Sequence, residues 1–120
     1  MKGFGLVSER AGSDTVLISL RGELDFEHAY QFDEELRSAE AVEPSAIVLD
    51  LSRLGFIDSC GIGRLLAARR RAARAGRRLV LVRGGPAIQR VFALSGLADA
   101  FEIVRDIPAE LLRPAPVNSG

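Results

Sequence analysis

The chain of 120 residues has no tryptophan, one tyrosine, one histidine, one methionine and one cysteine. Lysine is almost missing as well: Lys2 stands alone against fifteen arginines. With Cys60 as the single thiol, no internal disulfide can form, and a reducing compartment is the default. One histidine and one cysteine cannot build a metal site that needs several such ligands at close spacing. A phosphate-cradling P-loop needs a lysine after its second glycine, and Lys2 is not so placed. No apolar run approaches the ~20 residues needed to cross a bilayer. The opening stretch, Met1 to Glu9, carries an acid where a secretion signal would have its apolar middle. A cytoplasmic protein is expected.

What is present fits one ordinary α/β domain. Apolar residues make up 48 % and charged residues 27 % of the chain, and its length suits a single compact unit. The net charge of zero hides an asymmetry: residues 1–50 hold 11 acids and 4 bases, residues 51–120 hold 5 acids and 12 bases. Much of the basic half is Arg64, Arg69, Arg70, Arg71, Arg74, Arg77 and Arg78. No aromatic residue interleaves them as base stacking would require, so a solvated helix face is expected, with no direct nucleic-acid or membrane contact.

Along the chain, Phe4–Ser8 and Thr15–Arg21 read as an antiparallel pair of strands, with Gly22 closing the second. A helix follows over about 26–41, its stripe Ala29, Phe32, Leu36 and Ala39 stepping at helical spacing, with Asp25 as its N-cap. Ala46–Leu51 is a strand covered on both faces. A loop through Gly55 leads to a helix over about 60–75, with Ile62, Leu65, Ala68, Ala72 and Ala75 inward, Arg64, Arg71, Arg74 and Arg78 outward, and Gly76 as its stop. Leu79–Val82, a helix over 87–94, a short strand at 101–104 and a weak helix at 109–112 complete the order. This alternation implies a mostly parallel sheet of about five strands with one antiparallel edge. Residues 1–112 form the domain, and 113–120 read as a loose tail.

Functional groups in such sheets gather in loops beyond the carboxyl ends of the strands. Two loops are loaded with them: Gly22-Glu23-Leu24-Asp25, and Leu54 to Gly61. Asp25, Asp58, Ser59 and Cys60 should therefore be neighbours on one surface. Asp25, His28 and Cys60 could supply orienter, base and thiol nucleophile. The plainer reading is a Cys60 filling a small space before Gly61 and a His28 in an ordinary first turn. Ser59, first or capping residue of its helix, would normally bond one free backbone N–H. Phe56 and Ile57 would anchor an exposed Asp58-Ser59 step beside it. A phosphate on that hydroxyl would add roughly −1.5 to −2 charges at a helix N-terminus that tolerates anions, next to two acids that repel them.

At these residues the chain resembles the STAS domain family, the bacterial anti-sigma factor antagonists. The run Asp50-Leu51-Ser52, then Phe56-Ile57-Asp58-Ser59-Cys60-Gly61-Ile62-Gly63, is similar to the family's central motif. Gly22-Glu23-Leu24-Asp25 and Ile88 to Leu97 match two further signatures. The resemblance implies a protein without catalytic activity or cofactor. Its unphosphorylated form would bind a GHKL-type serine kinase that doubles as an anti-sigma factor, freeing a sigma factor. Phosphorylation at Ser59 would release it, and a PP2C-type phosphatase would reset it. The implied partner-binding residues are Glu23, Asp25, Asp58, Ser59, Cys60, Gly61 and Ile62. Cys60 stands where the family has a second hydroxyl, and a thiol hydrogen-bonds weakly. The alternative within the family is a non-phosphorylated module of a multi-protein signalling or membrane-transport complex.

Overall fold

The alternating apolar residues of Thr15–Leu24 make the strand around which the molecule is built. In a computed structural model, which describes residues 3–115, this strand (β2) pairs antiparallel with β1 (Phe4–Ala11). On its other side lie β3 (Ala46–Ile57), β4 (Arg78–Val82) and β5 (Glu102–Val104), all parallel. Spatial order equals chain order, β1-β2-β3-β4-β5. The crossovers are α1 (Ala29–Ala41), α2 (Ser59–Ala75) and α3 (Pro86–Leu94). A 3₁₀ turn over Ala109–Leu112 follows.

The two faces of the sheet are covered differently. Phe32 and Leu36 of α1, Leu65 and Ala68 of α2, and Ile88 and Phe92 of α3 pack on Ile18, Leu20, Ile47, Leu49 and Leu81. On the opposite face Val48, Val80 and Val82 form a second cluster, covered by Leu17, Val104, Ile107 and Leu111. The C-terminal segment therefore serves as the lid of that face. The carbonyls of Leu111 and Arg113 lie against Gly12 in the β1–β2 turn, where φ is +60°. Of the expected tail, 116–120 lie outside the described residues.

Several boundaries differ from the sequence reading. Gly22 does not end β2; at φ +85° it sits inside the strand, and the Glu23 N–H donates to the Gly3 carbonyl at 2.8 Å. β3 continues through Gly55 because two register irregularities lie opposite Ser19–Arg21 and Gly22–Glu23. Each adds a residue to β3, so its inward positions become Leu51, Leu54 and Ile57, spaced by three instead of two. The Asp50 carboxylate accepts from the Ser52 N–H at 2.9 Å and closes the first irregularity. On α2, Ala75 is exposed and Ile62 half-buried, while Gly61 joins Leu65, Ala68 and Ala72 inside. Arg78 is not on α2: Gly76, left-handed at φ 67°, stops the helix and Arg78 opens β4.

The arginine run is not a uniformly solvated face. Arg71 donates to both Glu40 oxygens at 2.8 and 3.0 Å across the α1–α2 seam. Its side chain is 19 % exposed and that of Glu40 14 %. Asp33 pairs with Arg64 at 3.5 Å, Arg37 at 3.7 Å and Arg71 at 3.8 Å. Arg77 donates to the Pro44 carbonyl, and Arg78 holds Glu102 of β5 and Glu110. Asp33 and Glu40 of the acidic first half thus meet Arg64 and Arg71 of the basic second half across the α1–α2 seam, whereas Arg78 finds its acids within the second half.

Candidate functional site

Parallel pairing of β2 and β3 puts Glu23 beside Phe56 and Leu24 beside Ile57. Both strands end there, so the next residues, Asp25 and Asp58, leave the sheet side by side. One carboxylate fastens the two loops. Asp58 Oδ1 accepts from the N–H groups of Cys60 (2.9 Å) and Gly61 (3.1 Å), which makes Asp58 the N-cap of α2. Its Oδ2 accepts from the Phe26 N–H at 3.1 Å, and the Asp58 N–H donates to the Leu24 carbonyl at 3.2 Å. Asp58 is therefore half-buried and fully engaged, where the sequence suggested an exposed step. Ile57 alone is the apolar anchor; Phe56 is 45 % exposed.

Asp25 does not cap α1. Its Oδ1 accepts from the His28 N–H at 3.2 Å and lies 2.7 Å from His28 Nδ1, while its carbonyl accepts from the N–H groups of His28 and Ala29. These bonds close a separate turn over 25–28, and the regular helix starts only at Ala29. The His28 ring also stacks on Phe4, with centroids 5.4 Å apart. The imidazole is thus committed to Asp25 and Phe4, and no hydrogen bond among the described residues joins it to Cys60.

Ser59 is the first residue of α2, and it is exposed. Because Asp58 already supplies the cap, the Ser59 hydroxyl is not needed for that task. Gly61 is buried against the β2 end: a Cβ there would sit 2.6 Å from the Leu24 carbonyl oxygen and 2.8 Å from Ile57. Only a residue without a side chain lets α2 start this close to β2, and Asp58, bonded to the Phe26 N–H, ties the start of α2 to the loop of Asp25. Glu23 is half-buried, and Ile62 leans on the core.

Cys60 is half-buried and lines a groove of about 500 Å³ between α1 and α2, with Phe26, Ala29, Tyr30, Gly63, Arg64 and Ala67. Phe26 and Tyr30 on its rim are 78 % and 66 % exposed. The sequence reading passed over both. The available signal was that neither falls on the inward stripe of α1, although both are large and aromatic.

The profile of one family, the STAS domain, matches residues 8–109. The chain belongs to the STAS domain family. An anti-sigma F factor antagonist from Lysinibacillus sphaericus is 32 % identical to this STAS domain over 90 residues, 74 % of this chain and 77 % of that protein. Two solved structures of the anti-sigma factor antagonist SpoIIAA, the phosphorylated one from Bacillus, are each 28 % identical and cover 88 % of this chain. The unphosphorylated form superposes with a TM-score of 0.74 over 93 % of its own chain, the phosphorylated form with 0.68 over 96 %. This STAS domain shares their single-domain α/β architecture. No helix among its described residues is long and apolar enough to cross a membrane.

Proposed function

We propose that this STAS domain is an anti-sigma factor antagonist controlled by phosphorylation of Ser59. The observation that carries the reading is an exposed hydroxyl at the first position of α2, relieved of capping by Asp58, whose other oxygen holds the Asp25 loop through Phe26. A transferred phosphoryl group meets the positive end of the α2 dipole, while Asp58 keeps the Cys60 and Gly61 N–H groups, so the fold tolerates it. The same group places roughly −1.5 to −2 charges beside Asp25 and Asp58. The surface changes sign of preference while the scaffold stays intact. The unphosphorylated face, with Phe26, Tyr30 and the small residues of α2, binds an anti-sigma factor. That partner is a serine kinase of GHKL type, which spends one ATP to transfer its γ-phosphoryl group to Ser59 Oγ. A PP2C-type phosphatase hydrolyses the phosphoserine and restores the binding form.

The test is direct. The full chain is incubated with ATP and the anti-sigma kinase of its own cell. Label is expected on Ser59, none on Ser59→Ala, and undiminished partner binding by that variant. Ser59→Glu should bind the partner about tenfold more weakly or worse, through repulsion at the contact face. Label on Ser59→Ala, or unchanged binding of Ser59→Glu, overturns the proposal.

A further inference from the structure

The open half of the second sheet face carries a feature unconnected with Ser59. Among the described residues, the cluster under the C-terminal segment takes in Leu17, Val48, Val80 and Val82, whereas Val7, Arg21 and Arg53 nearby are exposed. Their places are set by register: Val7, Ser19 and Asp50 lie side by side on β1, β2 and β3, and Gly5, Arg21 and Arg53 lie beside them. Ser19 is the shortest side chain among its neighbours, and a hollow of about 340 Å³ opens over it, lined by Val7, Ser19, Leu20, Arg21, Asp50 and Arg53.

Arg21 and Arg53 take paired register positions on β2 and β3 because of the irregularity in β3 after Asp50, and both side chains line the hollow. Neither guanidinium has a hydrogen-bond or ion-pair partner among the described residues. Arg71, Arg77 and Arg78, by contrast, each reach an acceptor. The Arg21 guanidinium lies over Gly5 of β1, where a Cβ would come within 2.5 Å of its Cζ. Asp50 does not neutralise the pair. One of its oxygens takes the Ser52 N–H, and no ion pair forms with either arginine.

We propose that this hollow binds a small phosphate monoester. Ten N–H donors in two planar forks match the oxygens of a dianion, which a single arginine cannot neutralise. The Ser19 hydroxyl bonds the ester or phosphate oxygen, and the remaining Asp50 oxygen accepts from a donor on the organic part. Phosphoethanolamine therefore binds more tightly than inorganic phosphate.

The experiment is a titration of the ¹⁵N-labelled full chain with phosphoethanolamine and, separately, with inorganic phosphate. Saturable shifts are expected at the amides of Ser19, Arg21 and Arg53, weakening as salt rises. Arg21→Gln and Arg53→Gln should each lower affinity about tenfold or more. Asp50→Asn should erase the preference for phosphoethanolamine. Melting curves without ligand separate binding from folding: each arginine variant should melt no lower than the parent, since neither guanidinium has a partner to lose. Shifts that survive both arginine variants, shifts centred on 59–61 at the start of α2, or no saturation with either compound would overturn the site. None of these outcomes bears on labelling of Ser59.

Discussion

Asp58 uses its two oxygens for two different jobs, which allows a graded test of what holds the site together. Oδ1 caps α2 and Oδ2 ties down Phe26 in the other loop. Asp58→Ala removes both. The lost cap costs about 1 kcal/mol. The charge-assisted bond to Phe26, near the surface, adds about 1 kcal/mol. Asp58→Asn keeps one acceptor oxygen and replaces the other with an amide donor, so it satisfies either the cap or Phe26 but never both. Its expected cost is about 1 kcal/mol, half that of alanine. In a domain of this size these losses correspond to melting shifts of about 8 °C for alanine and about 4 °C for asparagine. Guanidinium unfolding should show the same ordering at constant slope. Amide exchange at Phe26 should quicken in the alanine variant. An asparagine variant as stable as the parent, or an alanine variant no worse than asparagine, would refute the two-job assignment.

Gly61→Ala sets helix propensity against space. Propensity alone favours alanine by about 1 kcal/mol, yet the new Cβ meets the Leu24 carbonyl oxygen at 2.6 Å, so calorimetry should show a net loss of about 2 kcal/mol. Arg71→Ala leaves Glu40 and Asp33 half-buried without their shared cation and should cost about 2 kcal/mol in urea unfolding, with Arg71→Lys unable to reach both acids from one planar group. Tyr30→Ala should leave the melting temperature unchanged, because the ring is exposed, while weakening anti-sigma factor binding about tenfold in a surface assay. The Arg78 hydrogen bond holds the Glu102 carboxyl below the usual carboxylate range, against an opposing push from burial. The folded-state value is the lower one, so this stabilisation is complete above the ordinary carboxylate pKa and fades as pH falls through that region and below. With both side chains more than a third exposed, screening keeps it to about 1 kcal/mol or less, and Arg78→Gln should flatten that part of the acid-unfolding profile.

The amino-acid sequence by itself determined the element order, the strand directions and the two loops that meet. Period-two and period-three-to-four patterns such as Val16-Ile18-Leu20 and Ala29-Phe32-Leu36-Ala39 are local, and both sets are buried as their spacing requires. Parallel pairing of consecutive strands then leaves the ends of β2 and β3 no choice but to adjoin. What only the tertiary structure decided are the features that depend on a distant partner. Asp58 is half-buried because Phe26, 32 residues away, offers it an N–H. Asp25 turns to His28 instead of capping α1, a contest between two nearby donors that spacing does not resolve. The irregularities in β3 switch its inward spacing from two to three and place Arg53 opposite Arg21. Arg71 finds Glu40 only once the helices pack. Periodicity reports which side of an element faces the core; it carries no information about which polar group waits on the neighbouring one.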